Sequence, residues 1–539
     1  MRLAFHSSKS SVKLVRVTFL FTILVSLACN LPLRKTAGVS AEELRQTLMA
    51  ASPNASQGLT AIAGVVTGVP PLPETPAFTV DPFLTPFTGL ETPTPGAWAP
   101  LQGTAVPGML TYEVQDGDTL GALAGRFGVP VDQIVSAVSL SAEGFLAPGQ
   151  VLYLPDHLDE TPYPSPVFPD SEVTYSPSSV GFDVRKYVQE KGGYLSIYAE
   201  NLKDGRVSGA DIVQRIATEF SVDPRLLLAL IEYRSHWVTG QPSNPNDSSY
   251  PLGFHVAGQE GLYRELVMAA THLNIGFYGW RTGTVVETKF IDGSRARFSP
   301  QLNAGSVAVQ NLLAKLFRQE EWRETLYGKD NFLLLYQQMF GDPWARADSL
   351  GLLFPIGLIQ PPMELPFAPG KRWSLTGGPH PSWKTGSPPG ALDFAPVTGE
   401  PKCAVSKAWI LASAAGLVVR SERNVVAIDL DGDGYEQTGW VIIYMHVADQ
   451  ERIMVGSQLK VDDSIGHPSC EGGVSTGTHV HIARKYNGEW IAADGPLPFF
   501  LSGWRVYAYE KNYFGELRKD DRVVVASPVG TGTSIIIRQ

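Results

Sequence analysis

At 539 residues the chain is too long for a single hydrophobic core and predicts two to four folded units. Its 44% hydrophobic and 18% charged residues are those of a folded protein, while 41 Pro and 53 Gly signal linker between units. A formal net charge of −10 argues against nucleic acid as a partner.

The amino terminus predicts export. Arg2, Lys9, Lys13 and Arg16 precede an apolar run from Val17 to Ala28. A basic start and a short apolar stretch make residues 1–28 a secretory signal, and the run is short for a transmembrane helix. Cys29 at the junction resembles the lipid-modified cysteine of bacterial lipoproteins, although Ser26 stands where Leu is usual. That resemblance implies an extracytoplasmic protein of the cell envelope, held to the membrane by a lipid on Cys29; cleaved secretion is the alternative. Residues 29–110 are a Pro/Thr-rich linker, too poor in core-forming residues to fold, that extends as a stalk.

Residues 111–155 predict a compact unit. A short alternating strand at Tyr112 leads into Asp116-Gly117-Asp118-Thr119, a turn plus helix cap. Leu120, Leu123, Ala124 and Phe127 follow at helical spacing, and the unit ends Pro148-Gly149-Gln150-Val-Leu-Tyr-Leu154-Pro155. The whole resembles a LysM module. The resemblance implies a βααβ fold that binds N-acetylglucosamine-containing glycans such as peptidoglycan, through the loops after Gly117 and around residues 141–146.

A second Pro/Ser linker spans 156–180. Residues 181–350 are mainly helical in pattern, with apolar residues at i, i+3 and i+4 spacing over Asp211–Phe220 and Asp223–Tyr233. Val222-Asp223-Pro224 is a helix start. The phrase from Val222 to Ser235 resembles the opening of a lysozyme-like transglycosylase domain, where a glutamate immediately before the serine is the general acid. Here Arg234 holds that place. Its guanidinium cannot donate a proton near neutrality, and Glu232 lies about 200° around the helix. Glycan binding or spacing, without cleavage, is the expectation for this unit.

The densest chemistry lies in residues 365–505. Cys470-Glu-Gly-Gly-Val-Ser-Thr-Gly-Thr-His479-Val480-His481 is a glycine-rich turn running into a strand, and alternation puts His479 and His481 on one face about 6.5–7 Å apart. Upstream are Gly377-Gly378-Pro379-His380 and, thirteen positions after that histidine, Asp393. An alternating strand puts Trp440, Ile442, Tyr444 and His446 on one face. Two histidines and an aspartate are a workable zinc set that leaves a fourth position open, and two further histidines remain for proton transfer and oxyanion stabilisation.

These motifs resemble the M23 (LytM-like) zinc endopeptidases, nearest the beta-lytic, LasA-like branch. The resemblance implies a mainly antiparallel β-domain that cuts peptide bonds in peptidoglycan, often next to glycine. Carried over, His380, Asp393 and His481 would hold Zn2+, and His446 and His479 would be catalytic. One departure stands out: the commoner pattern has a His four residues before the Asp, and here that place is Pro389.

Three further readings complete the chain. Asp429-Leu-Asp431-Gly-Asp433-Gly434 matches the first half of a calcium loop, but its twelfth position is Trp440; Ca2+ and a solvated acidic hairpin turn are the two readings. Cys403 and Cys470 can pair outside the cytoplasm, the alternative being two buried thiols. Residues 506–539 form a C-terminal extension. The expected function is wall-targeted peptidoglycan endopeptidase; its rival is a non-catalytic lipoprotein that binds peptidoglycan and regulates other hydrolases.

Overall fold

The computed structural model describes residues 108–141, 143–158, 161, 164–243 and 248–539. The expected signal, the stalk and Cys29 lie outside the described residues. Among the described residues no helix is long and apolar enough to cross a membrane.

In the first unit, strands β1 (Met109–Glu113) and β2 (Val151–Pro155) pair antiparallel around helix α1 (Leu120–Phe127). Thr119 caps α1 by accepting the Ala122 N–H at 3.2 Å. The expected second helix is only a 3-10 turn, Val131–Gln133. Val135 exchanges backbone hydrogen bonds of 3.1 and 2.8 Å with Tyr153, which draws the following chain into extended backbone.

The middle unit runs α2 (Val184–Lys191), hairpin β3 (Ala199–Leu202) and β4 (Gly205–Ser208), then α3 (Gly209–Phe220), α4 (Pro224–Ser235) and α5 (Leu262–Arg281). Hairpin β5 (Glu287–Lys289) and β6 (Arg295–Arg297) precedes α6 (Ala304–Ala314), α7 (Gln319–Tyr327), α8 (Phe332–Phe340) and α9 (Pro343–Leu350). Helix α4 starts as its sequence predicts: Pro224 stands at the first helical position and Asp223 accepts the Arg225 N–H at 2.7 Å. The predicted linker 156–180 requires correction. Val167, Phe168 and Val173 are in the helical core, and Asn303 donates to the Phe168 carbonyl at 2.7 Å. Its Ser and Pro residues serve short 3-10 turns, with Ser176 accepting from the Ser178 N–H, rather than an open chain.

The third unit is built on a nine-stranded antiparallel sheet. Its path is β13 (Gln458–Leu459), β10 (Gly416–Glu422), β11 (Val425–Asp429), β12 (Trp440–Met445), β15 (Val480–Tyr486), β8 (Ala391–Pro396), β7 (Arg372–His380) and β21 (Ile535–Ile537). Strand β16 (Glu489–Trp490) pairs with β15, and β9 (Ile410–Leu411) with β14 (Ser464–Gly466). The predicted extension 506–539 is no appendage. Strands β17 (Phe500–Leu501), β18 (Trp504–Ala508), β19 (Gly515–Lys519) and β20 (Arg522–Val525) form a second sheet, and β21 completes the first by pairing Ile536 with Trp373. Val506, Leu517, Val524 and Ile536 belong to the β core, and their burial is what holds this segment.

The main sheet has two differently used faces. Val426, Ile428, Ile442, Tyr444, Val480 and Ile482 point into the β core. Val425, Ala427, Val441, Ile443 and Ala483, one residue out of step, join a buried cluster with the helices. Polar latches reinforce the join. Ser221 donates to the Gly488 carbonyl, the Trp490 N–H donates to the Tyr278 hydroxyl at 3.0 Å, and Arg281 pairs with Glu489 at 2.7 Å. A side chain at Gly488 would strike the Tyr175 carbonyl.

Within the join, Glu436 takes a two-pronged bond from Arg420, 2.8 Å on each oxygen, and a third at 3.1 Å from Lys485. Burial pushes its acidity weaker, but the two cations outweigh burial and lower its pKa from 4.5 to about 2. Lys485, in contrast, is lowered to about 8, because burial and the Arg420 charge outweigh its carboxylate. Both oxygens of Glu436 face guanidinium nitrogens of Arg420. A lowered folded pKa means this stability is complete above pH 4.5 and is lost as pH falls toward 2.

Two predictions arise. Glu436→Gln destabilises the chain at pH 7 by about 3 kcal/mol, because it leaves two buried cations short of a carboxylate; it also flattens the pH dependence below 4.5 in urea titrations. A chain lacking residues 166–350 exposes Val425, Val441, Ile443 and Trp490, and shows dye binding and self-association by light scattering where residues 166–539 remain monomeric.

Candidate metal centre

Strand pairing assembles three side chains that are distant in sequence. Asp393 on β8 stands opposite His481 on β15 and opposite Gly377 on β7, and β7 ends at His380. Nitrogen Nε2 of His380 lies 3.1 Å from Nδ1 of His481, and these atoms lie 3.3 and 3.4 Å from Oδ1 of Asp393. Each of the three is under 10% exposed.

The outward nitrogens fix the protons. Nδ1 of His380 donates to the Gly378 carbonyl at 2.8 Å, and Nε2 of His481 to the Ser382 carbonyl at 3.0 Å. A carbonyl cannot donate, so each outer nitrogen carries the hydrogen and the neutral rings turn lone pairs inward. Oδ1 of Asp393 has no hydrogen-bond partner although it is buried. Three electron-rich atoms therefore converge on one point, a donor set of the kind zinc takes. Burial lowers His380, but Asp393 more than offsets it and the net shift is upward. Burial raises Asp393, but His380 and His481 outweigh it and hold the carboxyl well below its usual range. Burial lowers His481.

The two remaining histidines stand beside this point. His479 donates from Nδ1 to the Gly477 carbonyl at 2.7 Å, and its Nε2 lies 3.6 Å from Oδ1 of Asp393. His446 donates from Nδ1 to the Glu471 carbonyl at 2.9 Å, and its ring centre is 4.5 Å from that of His479. Burial and the neighbouring His479 lower the His446 pKa to about 4, which keeps this ring a neutral base near pH 7. His446 does not share the face of Trp440, Ile442 and Tyr444, as strand alternation predicts. Strand β12 ends at Met445, and a φ of +62° at His446 turns its side chain across to His479 and His481.

The Cys403–Cys470 disulfide is present, with Cα atoms 5.1 Å apart, at the head of the loop that carries Glu471 and Gly477. The aspartates of the acidic loop sit at the opposite end of the β11–β12 hairpin from His446. Oxygens of Asp429, Asp431 and Asp433 lie within 4.8 Å of one another, but Asp429 spends its carboxylate on the N–H groups of Asp431, Gly432 and Gly434.

Sequence reasoning missed Tyr513. Its ring stacks on His380 at 4.2 Å between centres, and burial followed by the Asp393 charge raises its phenol pKa. No motif marks it; it reaches the site because its N–H donates to the Pro379 carbonyl and its own carbonyl accepts from Gly378.

Within the middle unit the Glu232 carboxylate is committed to its own backbone turn. It accepts the Val238 and Thr239 N–H groups at 3.0 and 3.1 Å and the Thr239 hydroxyl, so it closes the turn after α4. What this unit does is line a cleft of about 2030 Å³ that opens onto the metal centre, with Tyr198, Lys203, Arg215 and Tyr263 across from His380 and His479.

Residues 112–155 match the family described as LysM domain, and residues 166–354 the family described as LasA, N-terminal domain. The unit that resembles a lysozyme-like domain in sequence is thus matched as a LasA amino-terminal domain. Protease LasA of Pseudomonas aeruginosa (strain UCBPP-PA14) is 24% identical over 389 residues, 68% of this chain and 84% of that protein. The beta-lytic metalloendopeptidase of Achromobacter lyticus is 30% identical over 167 residues, 30% of this chain and 40% of that protein. The solved structure titled "A Novel M23 Metalloprotease Pseudoalterin from Deep-sea" is 23% identical, with a TM-score of 0.26, over 30% of this chain and 94% of that one.

Gly377 gives the centre a test that touches no ligand. A Cβ there would run into the Asp393 carboxylate. Gly377→Ala weakens zinc binding by about 10–100-fold, measured by competition with a chelator, while circular dichroism is unchanged.

Proposed function

We propose that this chain, a homologue of LasA and the beta-lytic metalloendopeptidases with a LysM domain ahead of the shared region, is a zinc endopeptidase that hydrolyses peptide bonds of peptidoglycan. The observation that carries the reading is the inward convergence of Nε2 of His380, Oδ1 of Asp393 and Nδ1 of His481, each imidazole backed by a carbonyl. A zinc ion held there supplies Lewis acidity toward a scissile carbonyl and toward water.

The chain's own groups do the rest. His446 and His479 each commit Nδ1 to a carbonyl and so offer Nε2 to the cleft. One accepts the proton of attacking water, and the pair delivers a proton to the departing amine. The Tyr513 phenol, stacked beside His380, offers an O–H donor to a carbonyl oxygen that gains charge. The LysM domain holds the enzyme on the glycan. Export is supported by the disulfide, and we assign Cys29 as the lipid-bearing residue.

His481→Ala tests the reading. The variant loses bound zinc by elemental analysis and loses muropeptide release by at least about 100-fold, with an unchanged circular dichroism spectrum. Wild-type zinc content and wild-type release would defeat the assignment.

A further inference from the structure

The cleft that reaches the metal centre has a charge pattern unlike that of the chain. Its carboxylates are committed. Glu200 accepts from the Tyr198 hydroxyl at 2.6 Å and Asp204 pairs with Arg215 at 2.9 Å. Glu219 bridges Arg215 and Arg423 at 3.0 and 3.2 Å, crossing from the helical wall to the β wall. Glu260 accepts from Tyr250 and the Gly258 N–H, and Asp449 pairs with Arg452 at 2.6 Å. Asp393 faces the metal point.

Five cations of the same cleft stand outside its ion pairs. Lys203, Lys402 and Lys511, with Arg264 and Lys384, are exposed, and none is ion-paired to a carboxylate among the described residues. Lys203 is at the tip of the β3–β4 hairpin, on the helical wall. Lys402 runs past Gly477, two residues before His479. Lys511 lies over the Phe514 ring in the turn that brings Tyr513 onto His380. A chain of net charge −10 repels an anion at a distance, so cations outside ion pairs along one cleft give a local attraction there.

We infer that the cleft selects peptides carrying carboxylates on both sides of the scissile amide, read by Lys402 beside His479 and by Lys511 beside Tyr513, with Lys203 of the helical wall closing over the chain. This rests on the endopeptidase reading. Separate ammonium groups on three different turns suit single carboxylates spaced along an extended peptide. A clustered phosphate would call for the converging fork donors that arginine provides. The helical unit thereby becomes part of substrate recognition.

The test uses the zinc-loaded protein and two fluorescein-labelled hexapeptides, Glu-Ala-Gly-Gly-Ala-Glu and Gln-Ala-Gly-Gly-Ala-Gln, both with blocked ends. Dissociation constants come from anisotropy on the His446→Ala variant, and kcat/KM from product release by the unmodified chain. The expected result is about ten-fold tighter binding of the Glu peptide at low salt, an advantage that shrinks at about 0.5 M salt. The advantage disappears in Lys402→Glu/Lys511→Glu and is reduced in Lys203→Glu, with zinc content unchanged in each. Equal affinity for the two peptides, or a preference that survives all three substitutions, overturns the inference even if both peptides are cleaved, and the peptidase reading then stands. A preference that follows the lysines without cleavage of either peptide supports acidic-peptide recognition and removes the peptidase reading instead.

Discussion

Asp393 sets the terms for the structure around it. Its Oδ1 is buried, has no hydrogen-bond donor, and faces ring nitrogens of His380, His481 and His479 at 3.3, 3.4 and 3.6 Å. The carbonyls of Gly378, Ser382 and Gly477 hold the outer ring nitrogens as donors, so the inner ones are lone pairs. Such a group is repulsive unless positive charge sits at its centre. A proton can occupy one of these contacts, and the raised His380 shows that Asp393 favours it. A divalent cation held by Asp393, His380 and His481 would satisfy these three acceptors together. The bare backbone of Gly377 beside the carboxylate and the disulfide at the head of the His479 loop keep the acceptors in place.

The placement of this centre follows from strand parity. His481 alternates with Val480 and Ile482, so its side chain leaves the β core on the same face as Ala483 and Lys485. That face is covered farther along by α3, α5 and their neighbours, and the cover stops short at the histidines. The edge of the cover is the cleft. The helical unit that matches the LasA amino-terminal family is thus built into the same buried cluster as the main sheet, and its hairpin β3–β4 lines the cleft with the histidines.

Much of the centre was legible in the sequence because its signals are local. The His-x-His pair on one strand face and the start of α4 at Asp223-Pro224 follow from short-range geometry, while the His380-to-Asp393 interval is read through the resemblance to the LasA-like branch. What was not legible depended on backbone conformation or on contacts with distant chain. Alternation sends His446 into the core, and a single left-handed residue reverses that. Composition reads residues 166–180 as linker, yet their serines bond one another's backbone and Phe168 fills the helical core. Residues after 505 look like a tail, and they close a sheet and deliver Tyr513. The phrase around Glu232 suggests a lysozyme-like helix, but the carboxylate is spent on the turn that follows it.

X-ray absorption at the zinc edge of the purified full-length protein probes the convergent acceptors most directly. The account predicts one zinc per chain with two imidazole nitrogens and a carboxylate oxygen at about 2.0–2.2 Å, and the remaining position taken by an exchangeable light atom. A protein that retains no zinc after equilibration, or one whose zinc shows sulfur in its shell or fewer than two imidazoles, would contradict it.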